Sequence, residues 1–446
     1  MLQGWVVVII ALAYIGFLFV VASYGDRRRE LARGTASRLL IYPLSLAIYC
    51  TSWTFFGSVG LASRTGYDFL TIYIGPMLMV GLAWPLIVRV VRLAKGQNIT
   101  SIADLIAARY GKSQAVAATV ALIAIIGMVP YIALQLKAVS ASVGTILAQS
   151  YPGGAQPLVG DSALLVALLM AAFAVLFGTR HTDATEHQDG LMLAVATESI
   201  VKLLAFLAVG VFVTFVMFHG PFALLSRALA QADTAAVLMR TPQLGSFCAM
   251  TTLSLFAIML LPRQFHVSIV ENHNEAEVRR AAWLFPLYLV LINLFVLPIA
   301  LAGLLTFPAG SVDGDMFVLA LPLAAHSELI TLITFVGGLS AATAMVIVES
   351  VALAIMVSND IVVPLLLKRN ANLVGTQGDA GARLLTTRRI AIFVIRCSPT
   401  SIIVRPAKRS SPPSGFCPSR RSRSWHRRFS AVWCGRAARR AVPSPA

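Results

Sequence analysis

An all-α polytopic membrane protein is the fold class this sequence predicts, on three observations. Only 12% of its residues are charged and 58% are hydrophobic, against about 25% charged in soluble globular domains. Apolar runs of bilayer-crossing length, about 20 residues, recur from the N-terminus to Leu367. Basic residues gather in alternate loops between those runs, as the positive-inside rule asks of a multi-pass protein.

About nine complete spans are expected, at 4–24, 39–61, 69–91, 115–147, 162–178, 190–218, 247–262, 282–305 and 328–364. The first run, Trp5 to Ser23, is longer than a signal-peptide core and has no basic region before it, so it reads as a retained span. Arg27 to Arg29 follow the first span, Arg92, Lys95, Arg109 and Lys112 the third, and Arg180 the fifth. Arg263, Arg279 and Arg280 follow the seventh span, and Lys368 and Arg369 the ninth. These loops are expected to be cytoplasmic, which places the N-terminus outside.

The second span, Tyr49-Cys-Thr-Ser-Trp-Thr-Phe-Phe-Gly-Ser-Val-Gly60, mixes hydroxyls with glycines at mid-helix. Either the helix unwinds there and frees polar groups for a ligand, or the small residues form a packing face with hydroxyls bonded to their own helix. Thr100 or Ser101 can cap a short helix that Gly111 stops. The fourth span carries Gln135 and Lys137, the latter within reach of the interface by snorkelling. Between Gly178 and Gly190 lie His181, Asp183, Glu186 and His187 without HExxH spacing, which suits an exposed loop better than a metal site.

The sixth span sets Glu198 four residues before Lys202, on one helix face, where a buried ion pair is expected. Leu261-Pro-Arg-Gln-Phe265 reads as the end of the seventh span, followed by a cytoplasmic linker. Between Phe335 and Ser358 the ninth span holds small residues, Thr343 and a single carboxylate, Glu349. Small residues let helices approach closely in lipid. A carboxylate at that depth costs about 2.5–3.5 kcal/mol unless it faces a partner or a wet cavity. Glu349 is thus either a structural support or part of a polar path.

The order of spans, Thr51-Ser-Trp-Thr-Phe-Phe-Gly-Ser-Val-Gly60, Ile102-Ala-Asp-Leu-Ile-Ala-Ala-Arg-Tyr-Gly111, Leu261-Pro-Arg-Gln-Phe265 and the small-residue helix ending Ser358-Asn-Asp360 resemble the sodium:solute symporter family. The resemblance covers about residues 1–370. Thr185-Glu-His-Gln-Asp-Gly190 and Glu198-Ser-Ile-Val-Lys-Leu203 look like its branch fused to bacterial sensor histidine kinases. It implies a LeuT-type inverted repeat in the bacterial inner membrane, with a small polar solute, an amino acid being the candidate, held beside broken helices. Thr51, Ser52, Trp53, Gly57 and Gln135 would stand at the solute, with Thr343 at an ion-coupling position and Glu198, Lys202 and Glu349 as buried polar groups.

Two departures bear on coupling. The Asp that proline-permease-like carriers place four residues before the Trp is Tyr49 here, and the paired hydroxyls of the ninth helix fall on Ala344 and Met345. The coupling ion lies between Na+ and H+, and these departures favour proton coupling or none. No other cofactor or metal is implied.

Residues 371–395 read as a linker and the start of an aborted tenth span; 396–446 form a basic tail without acids, too polar to fold alone. Out-of-frame translation after about Ile395 and an incomplete second repeat are the expected explanation. The net charge of +17 belongs mostly to this tail and does not imply a nucleic-acid partner. Cys50, Cys248, Cys397, Cys417 and Cys434 show no metal-ligand spacing. No phospho-acceptor motif or ATP-binding domain is present, so no catalytic residue is assigned. The expected partners are a solute, membrane lipids and, if the gene product carries a kinase, a response regulator; a remnant without function is the third reading.

Overall fold

The computed structural model describes residues 4–27, 35–150 and 188–365, and those residues form helices joined by turns. α1 (Gly4–Arg27) coincides with the first expected span. α2 (Thr35–Leu46) tightens into a 3-10 turn, Ala47–Tyr49, and the helix then breaks. It resumes as a π turn, Trp53–Gly57, and α3 (Ser58–Thr65). The halves meet at 67°. Pro43 inside α2 removes one backbone donor. Thr51 Oγ1 then accepts from Trp53 N at 3.2 Å, the kind of side-chain competition that draws backbone out of a helix.

Gly66, at φ +66°, turns the chain into α4 (Thr71–Met77), a position most other side chains resist. α5 (Trp84–Gly96) and α6 (Ile102–Arg109) follow. Ser101 caps α6 by accepting from Asp104 N at 3.0 Å, while Asp104 accepts from Thr100 N, a reciprocal cap on the residues the sequence singled out. α7 (Gln114–Ser150) and α8 (Asp189–Val211) are long apolar helices. The expected fifth span and the polar loop of His181, Asp183, Glu186 and His187 lie outside the described residues, as do the tenth-span start and the tail.

α9 (Leu244–Leu260) ends at an extended Leu261, and the chain restarts as α10 (Pro262–Phe265) and a π turn, His266–Val270, bent by 54°. The seventh span therefore does not simply stop at its proline. Pro262 sits in the first turn of a new helix, where its missing N–H costs nothing, and the buried residues from Arg263 to Ile269 continue into the protein. α11 (Glu275–Asn293) and α12 (Val296–Thr306) form the eighth span, and α13 (Glu328–Met356) the ninth. Among the described residues five helices are long and apolar enough to cross a membrane, or seven if each bent pair is one span.

α13 is the centre of this arrangement. Of its most apolar stretch 94% is buried inside the protein, against 22% for α1 and 17% for α7. Its small residues account for this: a Cβ at Gly337 would stand 2.8 Å from the Phe55 ring, and one at Gly338 would collide with Phe56. The missing side chains seat the aromatic half of the first helix break against α13.

Candidate functional site

The first break exposes polar groups that two neighbouring helices, α7 and α8, satisfy. Lys202 of α8 donates from Nζ to the Ala47 and Cys50 carbonyl oxygens, both at 2.7 Å. Gln135 of α7 accepts through Oε1 from Ser52 N at 3.1 Å and Ser52 Oγ at 2.6 Å. One turn earlier on α7, the Tyr131 hydroxyl lies 3.0 Å from Thr51 Oγ1. Gln135 and Lys202 are fully buried, so the break is a fixed feature with partners for its freed groups.

At the second break, Arg263 donates from Nη1 to Glu349 Oε2 of α13 at 3.0 Å, and both side chains are buried. The guanidinium carbon stands 5.1 Å from the centre of the Tyr131 ring, a cation–π contact. Arg263 Nε and Glu349 Oε1 have no protein partner, leaving one donor and one acceptor over.

Between the two breaks lies a cavity of about 270 Å³, lined from one side by Tyr49, Thr51 and Trp53 and from the other by Leu261 and Arg263, with Tyr131 of α7 between them. It combines aromatic faces, hydroxyls and one guanidinium. That suits a small molecule with both apolar and hydrogen-bonding parts.

Of the residues expected at the solute, Thr51 and Trp53 line this cavity. Ser52 and Gln135 do not line it; they bond each other behind it and hold the break in shape. Gly57 lies under the Trp53 indole, where a Cβ would come within 3.0 Å of the ring. Glu198 and Lys202 share a helix face but take different partners in place of the expected ion pair: Thr343 Oγ1 donates to Glu198 Oε1 at 2.5 Å, and Lys202 turns to the break carbonyls. The one-turn spacing permits a pair, but the Ala47 and Cys50 carbonyls offer the ammonium two acceptors at 2.7 Å. Arg263, counted above as a cytoplasmic loop charge, is buried; only Arg279 and Arg280 of that trio are exposed.

Arg263, Tyr131 and Tyr49 were the lining residues that sequence reasoning passed over. A signal for Arg263 existed, since a lone carboxylate deep in an apolar helix calls for a cation, and Arg263 is the one Lys or Arg between Thr241 and Val270.

No family model matches the chain. It is 26% identical over 317 residues to an uncharacterized symporter, YhjB, of Bacillus subtilis (strain 168), an alignment covering 70% of this chain and 59% of the relative. The chain thus spans 59% of that protein's length. A solved structure of a Na+-coupled sialic acid symporter, in a substrate-bound outward-open state, superposes with a TM-score of 0.61 at 15% identity, over 89% of this chain and 81% of that one. The chain is built like a symporter. At that identity the structural likeness speaks for the fold.

Proposed function

We propose that residues 1–370 form a symporter-like domain of the bacterial inner membrane, N-terminus outside, that binds a small polar solute between its two helix breaks. The observation that carries this is the cavity shared by Thr51, Trp53 and Arg263, which brings both broken helices to one ligand-sized space. Its volume, about 270 Å³, falls just below the range of about 300–1,000 Å³ for drug-sized ligand pockets and favours a solute no larger than an amino acid. Two breaks opening corresponding halves of the chain support a LeuT-type inverted repeat, in which half-helix ends meet the solute and the coupling ion. Na+ or H+ is the coupling ion if uptake is coupled at all, and Tyr49, Ala344 and Met345 favour H+ or no coupling.

Trp53 supplies the largest apolar wall. Cells producing the Trp53→Ala variant are expected to lose at least tenfold in uptake of labelled amino acids while inserting normal amounts of protein. Unchanged uptake refutes the site. The sensor alternative, in which the same pocket reports occupancy to a kinase and response regulator, rests on Glu198-Ser-Ile-Val-Lys-Leu203 and its resemblance to the kinase-fused branch. It is favoured if solute binds to the purified protein but is not taken up.

A further inference from the structure

The carbonyls freed at the end of a half-helix carry the negative end of the helix dipole, and in carriers with broken helices such carbonyls coordinate the coupling cation. α2 and its 3-10 turn end in two such carbonyls, Cys50 O and Ala47 O, the latter also accepting from Cys50 N at 3.0 Å. Each accepts a bond of 2.7 Å from Lys202 Nζ. An ammonium is a compact point charge with three donors, and here it stands where a bound cation would have to stand to use both oxygens. Lys202 is 0% exposed, so its head cannot be exchanged for an ion without moving the side chain.

The other half of a sodium shell is also missing. The hydroxyl positions implied for the ninth helix are Ala344 and Met345, which offer no side-chain oxygen. The adjacent Thr343 directs its hydroxyl to Glu198 Oε1 and to carbonyls of its own helix, Leu339 O at 3.0 Å and Ser340 O at 3.2 Å. The donor set does not fit sodium. We infer that Lys202 is a tethered cation standing where a coupling ion would bind at the first helix break, so that this chain holds the break together without sodium.

The test needs no solute, so a failure of the solute reading leaves it intact. The full chain is purified in detergent, and its thermal unfolding midpoint is followed while sodium chloride replaces choline chloride at constant ionic strength. The wild-type midpoint is expected to be indifferent to the exchange. Lys202→Ala and Lys202→Met, which retains the aliphatic stem, are expected to unfold several degrees lower than the wild type in choline and equally low in sodium, because the two carbonyls lack the hydroxyl half of a sodium shell. A saturable sodium-specific rise in the wild type overturns the inference, and so does a Lys202→Met variant as stable as the wild type. If neither variant accumulates as folded protein, the wild-type exchange decides alone: indifference supports the tethered cation and a sodium response removes it.

Discussion

Glu349→Ala would leave the Arg263 guanidinium buried without its carboxylate. The pair is joined at 3.0 Å with side-chain exposures of 2% and 0%, so almost none of its attraction is screened by bulk water. Removing one partner of such a pair costs about 3–5 kcal/mol, because the other charge stays desolvated. The cavity beside Arg263 admits some water and the Tyr131 ring stays beneath it, so the lower end, about 3 kcal/mol, is expected. The assay is equilibrium unfolding of the detergent-purified chain for Glu349→Ala, Arg263→Met and the double variant. Because the double variant removes both charges, it should be more stable than the sum of the single losses predicts, by about 2–3 kcal/mol of coupling. A single loss below about 1 kcal/mol, the worth of an exposed pair, or a coupling near zero, would show that Arg263 and Glu349 are solvated separately.

Gln135→Leu strips the acceptor from both Ser52 N and Ser52 Oγ; unfolding should show a loss of about 1–3 kcal/mol for the two stranded donors, along with reduced uptake. Arg38 reaches Glu277 Oε1 at 3.1 Å, Asp189 Oδ1 at 3.2 Å and Glu271 O at 2.7 Å, tying α2 to α8 and to α11. Arg38→Met leaves those buried acids without their arginine and should cost about 3–5 kcal/mol in the same assay; a loss under 1 kcal/mol would mean that the cluster is wet.

The long apolar helices were legible because lipid imposes a single rule, an unbroken hydrophobic run, that needs no knowledge of neighbours. The break in the second span was legible for the same reason, since hydroxyls have little business in such a run without a partner. Its location was half right: the backbone parts at Cys50 to Ser52, ahead of the glycines, because Thr51 captures Trp53 N and Gln135 captures Ser52 N. The second break was missed. Proline followed by arginine looks like an exit from the membrane when read alone, and only Glu349, 86 residues further on, shows the arginine to be buried. The Arg38 cluster was invisible for the same reason, its acids lying 151 and 239 residues away.

The two breaks answer one physical problem with opposite chemistry. A half-helix that ends in a low-dielectric interior leaves carbonyls with no water to bond, and only a donor brought from elsewhere in the fold can meet them. At the first break the lysine of α8 does so directly, with its charge against the negative end of α2. At the second, the arginine is part of the restarted helix itself, in the first turn where the dipole disfavours a cation, so it needs an anion close by. Glu349 supplies that anion from α13, the most deeply buried helix. A carboxylate on the central helix is therefore what allows a cation to stand in the cavity wall.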